Sequence, residues 1–103
     1  MSNFSGSGTV SADGNTAEFI VRGWTTLSAH LGGGSGTWTW QFAGPDKEFR
    51  DVYAGTDGTT IQQFTGTHMI NVYFGGDVLV RGVASGSSSP TWDFQVIGSI
   101  ANR

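Results

Sequence analysis

The sequence predicts an all-β fold: an antiparallel β-sandwich, Ig-like or jelly-roll-like, with eight or nine short strands and no helix. Apolar and polar residues alternate along the chain, and no segment shows a helical period. Turn signals recur about every eight to twelve residues, a spacing typical of sandwiches and barrels. Glycine contributes 17 of 103 residues, yet aromatics reach 13%, which indicates many strands and tight turns rather than disorder.

The length of 103 residues predicts a single domain spanning residues 1–103. Cysteine is absent, so the core must be held by packing without disulfides or a cysteine zinc site. No run of about 18 apolar residues occurs, and the first residues lack the pattern of a secretory signal. We therefore expect no membrane contact and synthesis in the cytoplasm, with residues 1–8 as a flexible N-terminal arm.

The first half of the chain predicts four strands. Two of them, near residues 8–11 and over 17–22, flank Asp13-Gly14, a dipeptide that favours hairpin turns because glycine tolerates positive φ. Two more, over 24–31 and 37–42, flank "GGGSG", which is interpreted as a hairpin turn rather than a linker.

The second half predicts the remaining strands. Gly44-Pro45-Asp46 forms a turn, a strand covers residues 48–53, and "GTDGTT" turns again. The stretches "TIQQFTG" and "HMINVYF" are two further strands, and "GGD" turns into the strand "VLVRGVA". A polar loop follows over residues 85–91, and "WDFQVIGSI" is the last strand.

Four strands each place large apolar residues on one face, and these sets are the predicted core. The members are Phe19 and Val21; Trp38, Trp40 and Phe42; Ile70, Val72 and Phe74; and Trp92, Phe94 and Val96.

The aromatic strand "TWTWQF" permits two interpretations, a core strand or a platform that stacks on sugar. Burying one aromatic side chain removes about 150–250 Å² from water, worth several kcal/mol at roughly 25 cal/mol/Å². Net domain stability is only about 5–15 kcal/mol. A domain this small can hardly leave Trp38, Trp40 and Phe42 in water, so we expect them in the core.

Several apolar residues fall outside these sets. On one interpretation these residues are scattered surface positions, or they show that the strand register is shifted from the one assumed here. On the other interpretation they form an assembly interface. The interface hypothesis takes Ile20, Met69, Tyr73, Leu79 and Ile97.

No motif for catalysis or metal binding occurs. His30 and His68 lie in no ligand spacing, and no G-x-S-x-G elbow is present. Asp46, Glu48 and Asp51 cluster after the proline turn, but the EF-hand pattern is missing, so solvated carboxylates are favoured over calcium. We expect no enzyme, no cofactor and no metal. Five Lys+Arg and a net charge of −3 also disfavour nucleic acid as a partner.

Two stretches, "GTWTWQFAGPDKEFRDVYAGTDGTTIQQFTG" and "MINVYFGGDVLVRGVASGSSSPTWDFQVIG", carry a resemblance to a family. Residues 15–100 resemble a loose class of small all-β bacteriophage virion proteins. The likeness consists of hydrophobic and glycine patterns, with an "INVYFGGDVLVRGVAS"-like hairpin before a final strand. The class has no shared catalytic or ligand motif, so no functional residue is carried over.

The resemblance implies a capsid decoration (cement) or head-fibre protein that stabilises a phage head by binding at subunit joints. The implied partner is the major capsid protein, the implied assembly is a homo-trimer, and the implied location is the capsid exterior. The arm at residues 1–8 would become ordered on the capsid. The alternative is a carbohydrate-binding or adhesion module of a phage fibre or tail.

Overall fold

The computed structural model describes residues 3–51 and 63–99. Within these ranges the chain forms one antiparallel β-sheet and no helix, which confirms the all-β, antiparallel prediction. The sheet order is β1-β6-β3-β4, while β2 pairs with β6 and β5 pairs with β3. The strands are β1 Asn3–Val10, β2 Gly14–Asn15, β3 Phe19–Ala43, β4 Arg50–Asp51, β5 Gln63–Phe64 and β6 His68–Ser99.

The two long strands, β3 and β6, pair with each other twice. Residues 19–29 of β3 pair with residues 68–80 of β6. Residues 22–43 of β3 pair with residues 79–99 of β6. The first half of β3 therefore lies between two parts of β6, and both strands must bend for this to happen.

Three stretches predicted as turns or loops lie inside the long strands: "GGGSG", "GGD" and the polar loop over residues 85–91. These three predictions are therefore wrong. "GGGSG" is part of β3 and runs alongside residues 85–91 of β6, with Gly33 opposite Thr91 and Ser35 opposite Ser88. "GGD" is an irregularity within β6, where the register shifts opposite Arg22. Glycine permits bends within a strand as well as reversals. The described residues accordingly form six strands, two of them very long, instead of eight or nine short ones.

Gly34 has a conformation and a position that exclude other residues. Its φ is +73°, in the left-handed region. A Cβ at this position would fall against the backbone of Ser88 and Ser89. The two long strands therefore approach each other here without a side chain between them.

The hairpin predicted at Asp13-Gly14 is also wrong. The strands on its two sides do not pair with each other, because β1 pairs with residues 92–99 and the start of β3 pairs with residues 78–80 of β6. Asp13 instead accepts a hydrogen bond from the backbone N–H of Ser87 at 3.0 Å. The predicted flexible arm at residues 1–8 is, from Asn3 onward, part of strand β1.

The turn predicted at Gly44-Pro45-Asp46 is confirmed, since Lys47 N–H donates to the Gly44 carbonyl at 3.0 Å. Of the strand predicted over residues 48–53, Arg50–Asp51 form β4 and residues 48–49 are not strand; of that predicted over 60–66, Gln63–Phe64 form β5. Residues 52–62, with the turn predicted at "GTDGTT", lie outside the described part of the chain.

The core is built around three tryptophans. Trp38, Trp40 and Trp92 are fully buried, and the ring of Trp38 lies 5.3 Å from Trp40 and 5.1 Å from Trp92. Phe42 is partly buried and packs 5.6 Å from Phe74. The core interpretation of "TWTWQF" is therefore confirmed, and its alternative as a sugar platform is wrong. The other predicted core residues are buried or packed against the core: Phe19, Val21, Ile70, Val72, Phe94 and Val96.

We expect Gly34→Ala to lower the free energy of unfolding by about 2 kcal/mol or more, because alanine is strained at this φ and its Cβ meets backbone. Gly33→Ala is the matched control, since a Cβ at Gly33 meets nothing within 4 Å. Urea denaturation of both variants measures the difference. Equal stability of the two would contradict the close approach at Gly34.

Candidate functional site

The most prominent surface feature is a row of paired side chains on the outside of the ladder between β3 and the first part of β6. Alternate residues of a strand point to the same face, and here that face is directed away from the core. We call this row the outer stripe. Its pairs are Ile20–Leu79, Arg22–Asp77, Trp24–Tyr73, Thr26–Asn71 and Ser28–Met69.

The structure brings the five predicted interface residues to one face. Ile20, Met69, Tyr73 and Leu79 belong to the outer stripe, and Ile97 lies beside it as a register partner of Thr26. Ile20, Met69 and Tyr73 are 56%, 70% and 60% exposed, whereas Leu79 and Ile97 are partly buried. These residues thus share one face of the long ladder, and their role as an interface stays a prediction.

Trp24 is the residue that sequence reasoning missed. It is 67% exposed and contacts Tyr73 edge to face, with ring centroids 5.4 Å apart. The signal was in the alternation, because Leu27 and Ala29 face inward and Trp24 has the opposite parity. This exposed aromatic pair is the largest apolar feature on the outer stripe.

Polar contacts fix the side chains on both sides of the aromatic pair. Thr26 Oγ1–H donates to Asn71 Oδ1 at 2.7 Å. On the other side, Arg22 Nε–H donates to Asp77 Oδ1 at 2.6 Å. This hydrogen bond and the charge of Asp77 raise the pKa of Arg22. The ion pair divides the outer stripe into an aromatic part and an aliphatic end.

The aliphatic end opens into a groove of about 300 Å³, which we call the Ile20 groove. Its position follows from the turn after β3, which brings Pro45 and Lys47 next to the Ile20–Leu79 pair. Lys47 adopts a left-handed φ of 61° at this turn. The walls are mainly apolar, and Lys47 and Asp77 supply the charges: the lining residues are Ile20, Ala43, Gly44, Pro45, Lys47, Asp77, Val78 and Leu79.

A second groove, of about 550 Å³, adjoins the other end of the outer stripe, and we call it the His30 groove. Its lining surface is mainly apolar, and hydroxyl, amide and imidazole groups occur among the lining residues: Ser7, Ser28, Ala29, His30, Thr67, His68, Met69, Asp93, Phe94 and Gln95. Thr67 Oγ1 lies 3.0 Å from His30 Nδ1 and accepts the Leu31 N–H at 3.2 Å.

These groups do not form a hydrolytic triad. Asp93 accepts its hydrogen bond from Thr9 at 2.9 Å rather than orienting His30. The Thr67 hydroxyl is held by the backbone of Leu31 as well as by His30. The His30 groove therefore does not hold a nucleophile, a base and an orienting carboxylate joined by consecutive hydrogen bonds.

The other histidine, His68, has a structural role. Its Nε2 accepts the Trp40 indole N–H at 2.9 Å, and its Nδ1 lies 3.0 Å from the Gly66 carbonyl. The ring also stacks on Phe64, with centroids 3.8 Å apart. Because Nε2 accepts a hydrogen bond, the ring is neutral with its proton on Nδ1. Burial lowers the pKa of His68, opposed by the hydrogen bond to Gly66.

The carboxylates of the proline turn are held by a cation. Arg50 lies 2.8 Å from Asp46 and 3.6 Å from Glu48, and its hydrogen bond to Asp46 holds the pKa of that carboxyl below its usual range. Among residues 3–51 and 63–99, no three His, Asp or Glu side chains are grouped to hold a metal ion. The described part of the chain also contains no helix long and apolar enough to cross a membrane.

No family model matches the chain, and no curated protein is detectably similar to it. These comparisons therefore assign no function to the chain.

We expect the thermal midpoint to fall as the pH is lowered from 7 to 5, and His68 to cause this fall. The unfolded state takes up a proton at a histidine pKa of about 6.5, whereas the folded state resists protonation of His68. The contribution of His68 to the free energy of unfolding is thus fully present above pH 6.5. It is lost as the pH falls toward the lowered pKa of His68 in the folded state.

His68→Gln tests this expectation by calorimetry at several pH values. This variant should flatten the pH dependence of the thermal midpoint between pH 7 and 5. A flat profile in the unmodified protein would contradict the role of His68.

Proposed function

We propose that this chain is a structural virion protein, a decoration (cement) protein on the exterior of a phage head that binds the major capsid protein at subunit joints. The resemblance of residues 15–100 to small all-β virion proteins supports this function. So does the kind of surface on the described residues, which offer exposed apolar groups rather than an assembled catalytic site. The protein then acts by binding, and its work is to hold neighbouring capsid subunits together.

The observation that carries the proposal is the Ile20 groove. Ile20 is more than half exposed beside the apolar side chains of Leu79 and Val78, an arrangement that costs free energy in water. A partner segment that inserts an aliphatic side chain here would gain roughly 25 cal/mol for each Å² of apolar surface removed from water. Lys47 and Asp77 at the groove would orient a partner of complementary charge.

The finer form of the fold is part of the same proposal. The Ig-like or jelly-roll-like sandwich stays a proposal, which the bend required by the double pairing of β3 and β6 supports. A homo-trimer, also implied by the resemblance, would place three copies around a capsid symmetry axis.

We expect Ile20→Asp to abolish binding to undecorated heads of the phage that encodes this chain, because it places a charge in the apolar groove. The bound fraction after sedimentation and the melting temperature of the heads are the two measurements. Met69→Asp is the matched control, since Met69 is 70% exposed on the same stripe but lies beyond the ion pair.

Binding lost only in Ile20→Asp places the contact at the Ile20 groove. Binding lost in both variants extends the interface along the outer stripe as far as Met69. If the unmodified protein neither binds the heads nor raises their melting temperature, the decoration function is wrong.

Light scattering tests the assembly state independently of any capsid. The proposed homo-trimer gives a mass three times the 10.9 kDa of one chain. A mass of one chain would contradict the trimer. Capsid binding would then depend on the Ile20 groove of a single chain.

A further inference from the structure

We infer that the aromatic part of the outer stripe, together with the adjoining His30 groove, binds a neutral oligosaccharide. This inference goes beyond the proposed capsid contact, which uses the other side of the Arg22–Asp77 ion pair. Its elements are an aromatic stacking surface, neutral hydrogen-bonding groups beside that surface, and a groove that continues it.

The stacking surface is the Trp24–Tyr73 pair. The two rings are 67% and 60% exposed, and their edge-to-face contact limits the rotation of both side chains. Aromatic rings on a rigid sheet offer a large contact area at low conformational cost. The C–H groups on one face of a pyranose ring pack on such a surface, and the tyrosine hydroxyl remains available for hydrogen bonding.

Asn71 supplies a directed polar group next to the rings. Its Oδ1 accepts the hydroxyl proton of Thr26 at 2.7 Å, which fixes the orientation of the amide. The amide Nδ2 carries two donors, and no group of the described residues accepts a hydrogen bond from them. A fixed donor pair beside an aromatic surface suits the hydroxyl groups of a sugar that stacks on the rings.

The His30 groove continues this surface along the strands. Ser28 has Met69 on one side and Gln95 on the other, and these three line the groove with His30. From Trp24 to Ser28 the strand advances about 13 Å. The combined surface is therefore long enough for several linked sugar units rather than one.

The charges favour a neutral ligand. None of the described residues that line the His30 groove is a lysine or an arginine, and Asp93 adds a negative charge. Arg22, the cation nearest to the aromatic pair along the stripe, is bound to Asp77. Sialylated or sulfated sugars would meet a carboxylate without a compensating cation, so an anionic glycan is excluded from the proposal.

The test is a titration of the full chain with maltose-, cellulose- and chitin-derived oligosaccharides of one to four units, read by tryptophan fluorescence. Trp38, Trp40 and Trp92 are buried, so Trp24 is the tryptophan that a bound sugar would contact directly. We expect one of the three series to bind and affinity to rise with length up to three units. Trp24→Ala, followed by calorimetry, and Tyr73→Ala should each weaken binding about tenfold or more.

Two further variants separate the site from the fold and from the capsid contact. Asn71→Asp keeps the shape of the side chain but replaces the two donors by acceptors, so binding should be lost while the melting temperature is kept. Ile20→Asp should bind sugar as the unmodified protein does, even if it no longer binds capsids.

Two results would overturn the inference. One is the absence of binding to all three series and to a glycan array of neutral sugars. The other is binding that survives both Trp24→Ala and Tyr73→Ala. If Trp24→Ala abolishes capsid binding while no sugar binds, the aromatic pair is a protein contact and the oligosaccharide is wrong.

Discussion

The path of both long strands is determined by their close approach at Gly34. The two strands pair on both sides of this point, and each must bend to do so. A side chain at Gly34 would collide with the backbone of Ser88 and Ser89. With that contact in place, Trp38 from β3 and Trp92 from β6 are brought ring against ring in the core.

The tryptophan cluster illustrates how much the fold relies on packing. The indole N–H groups of Trp38 and Trp92 are buried and have no acceptor among the described residues, which costs free energy. Only Trp40 has a protein partner for its N–H, the ring of His68. The burial of three large rings must outweigh this cost, and His68 reduces it. The same histidine connects the core to β5 through its stacking on Phe64.

The bending of β3 and β6 also determines which residues are available for function. Because the inner face is filled, exposed apolar groups of the long ladder fall on the outer stripe in register. The Arg22–Asp77 ion pair interrupts them and leaves an aliphatic groove on one side and an aromatic pair on the other. Two surface regions, separated by an ion pair, thus arise on one strand pair.

The sequence predicted which face of a strand each residue occupies better than it predicted where the chain reverses direction. Alternation identified Trp38, Trp92 and the other core residues, because side-chain parity depends on strand geometry alone. It also selected Ile20 and Tyr73, which share a face for the same reason. The path of the chain was harder to predict, since the signal of "GGGSG" is the same for a reversal and for a bend in a continuing strand. Pairing between residues far apart in sequence decides between the two, and a single sequence carries no record of it.

One tryptophan lies on the surface of this domain and three form its core. Acrylamide quenching of tryptophan fluorescence, compared between the unmodified protein and Trp24→Phe, measures this division directly. We expect an accessible fraction in the unmodified protein that disappears in Trp24→Phe and leaves only shielded emission. Strong quenching that persists in Trp24→Phe would mean that the core tryptophans are open to solvent and that this packing is wrong.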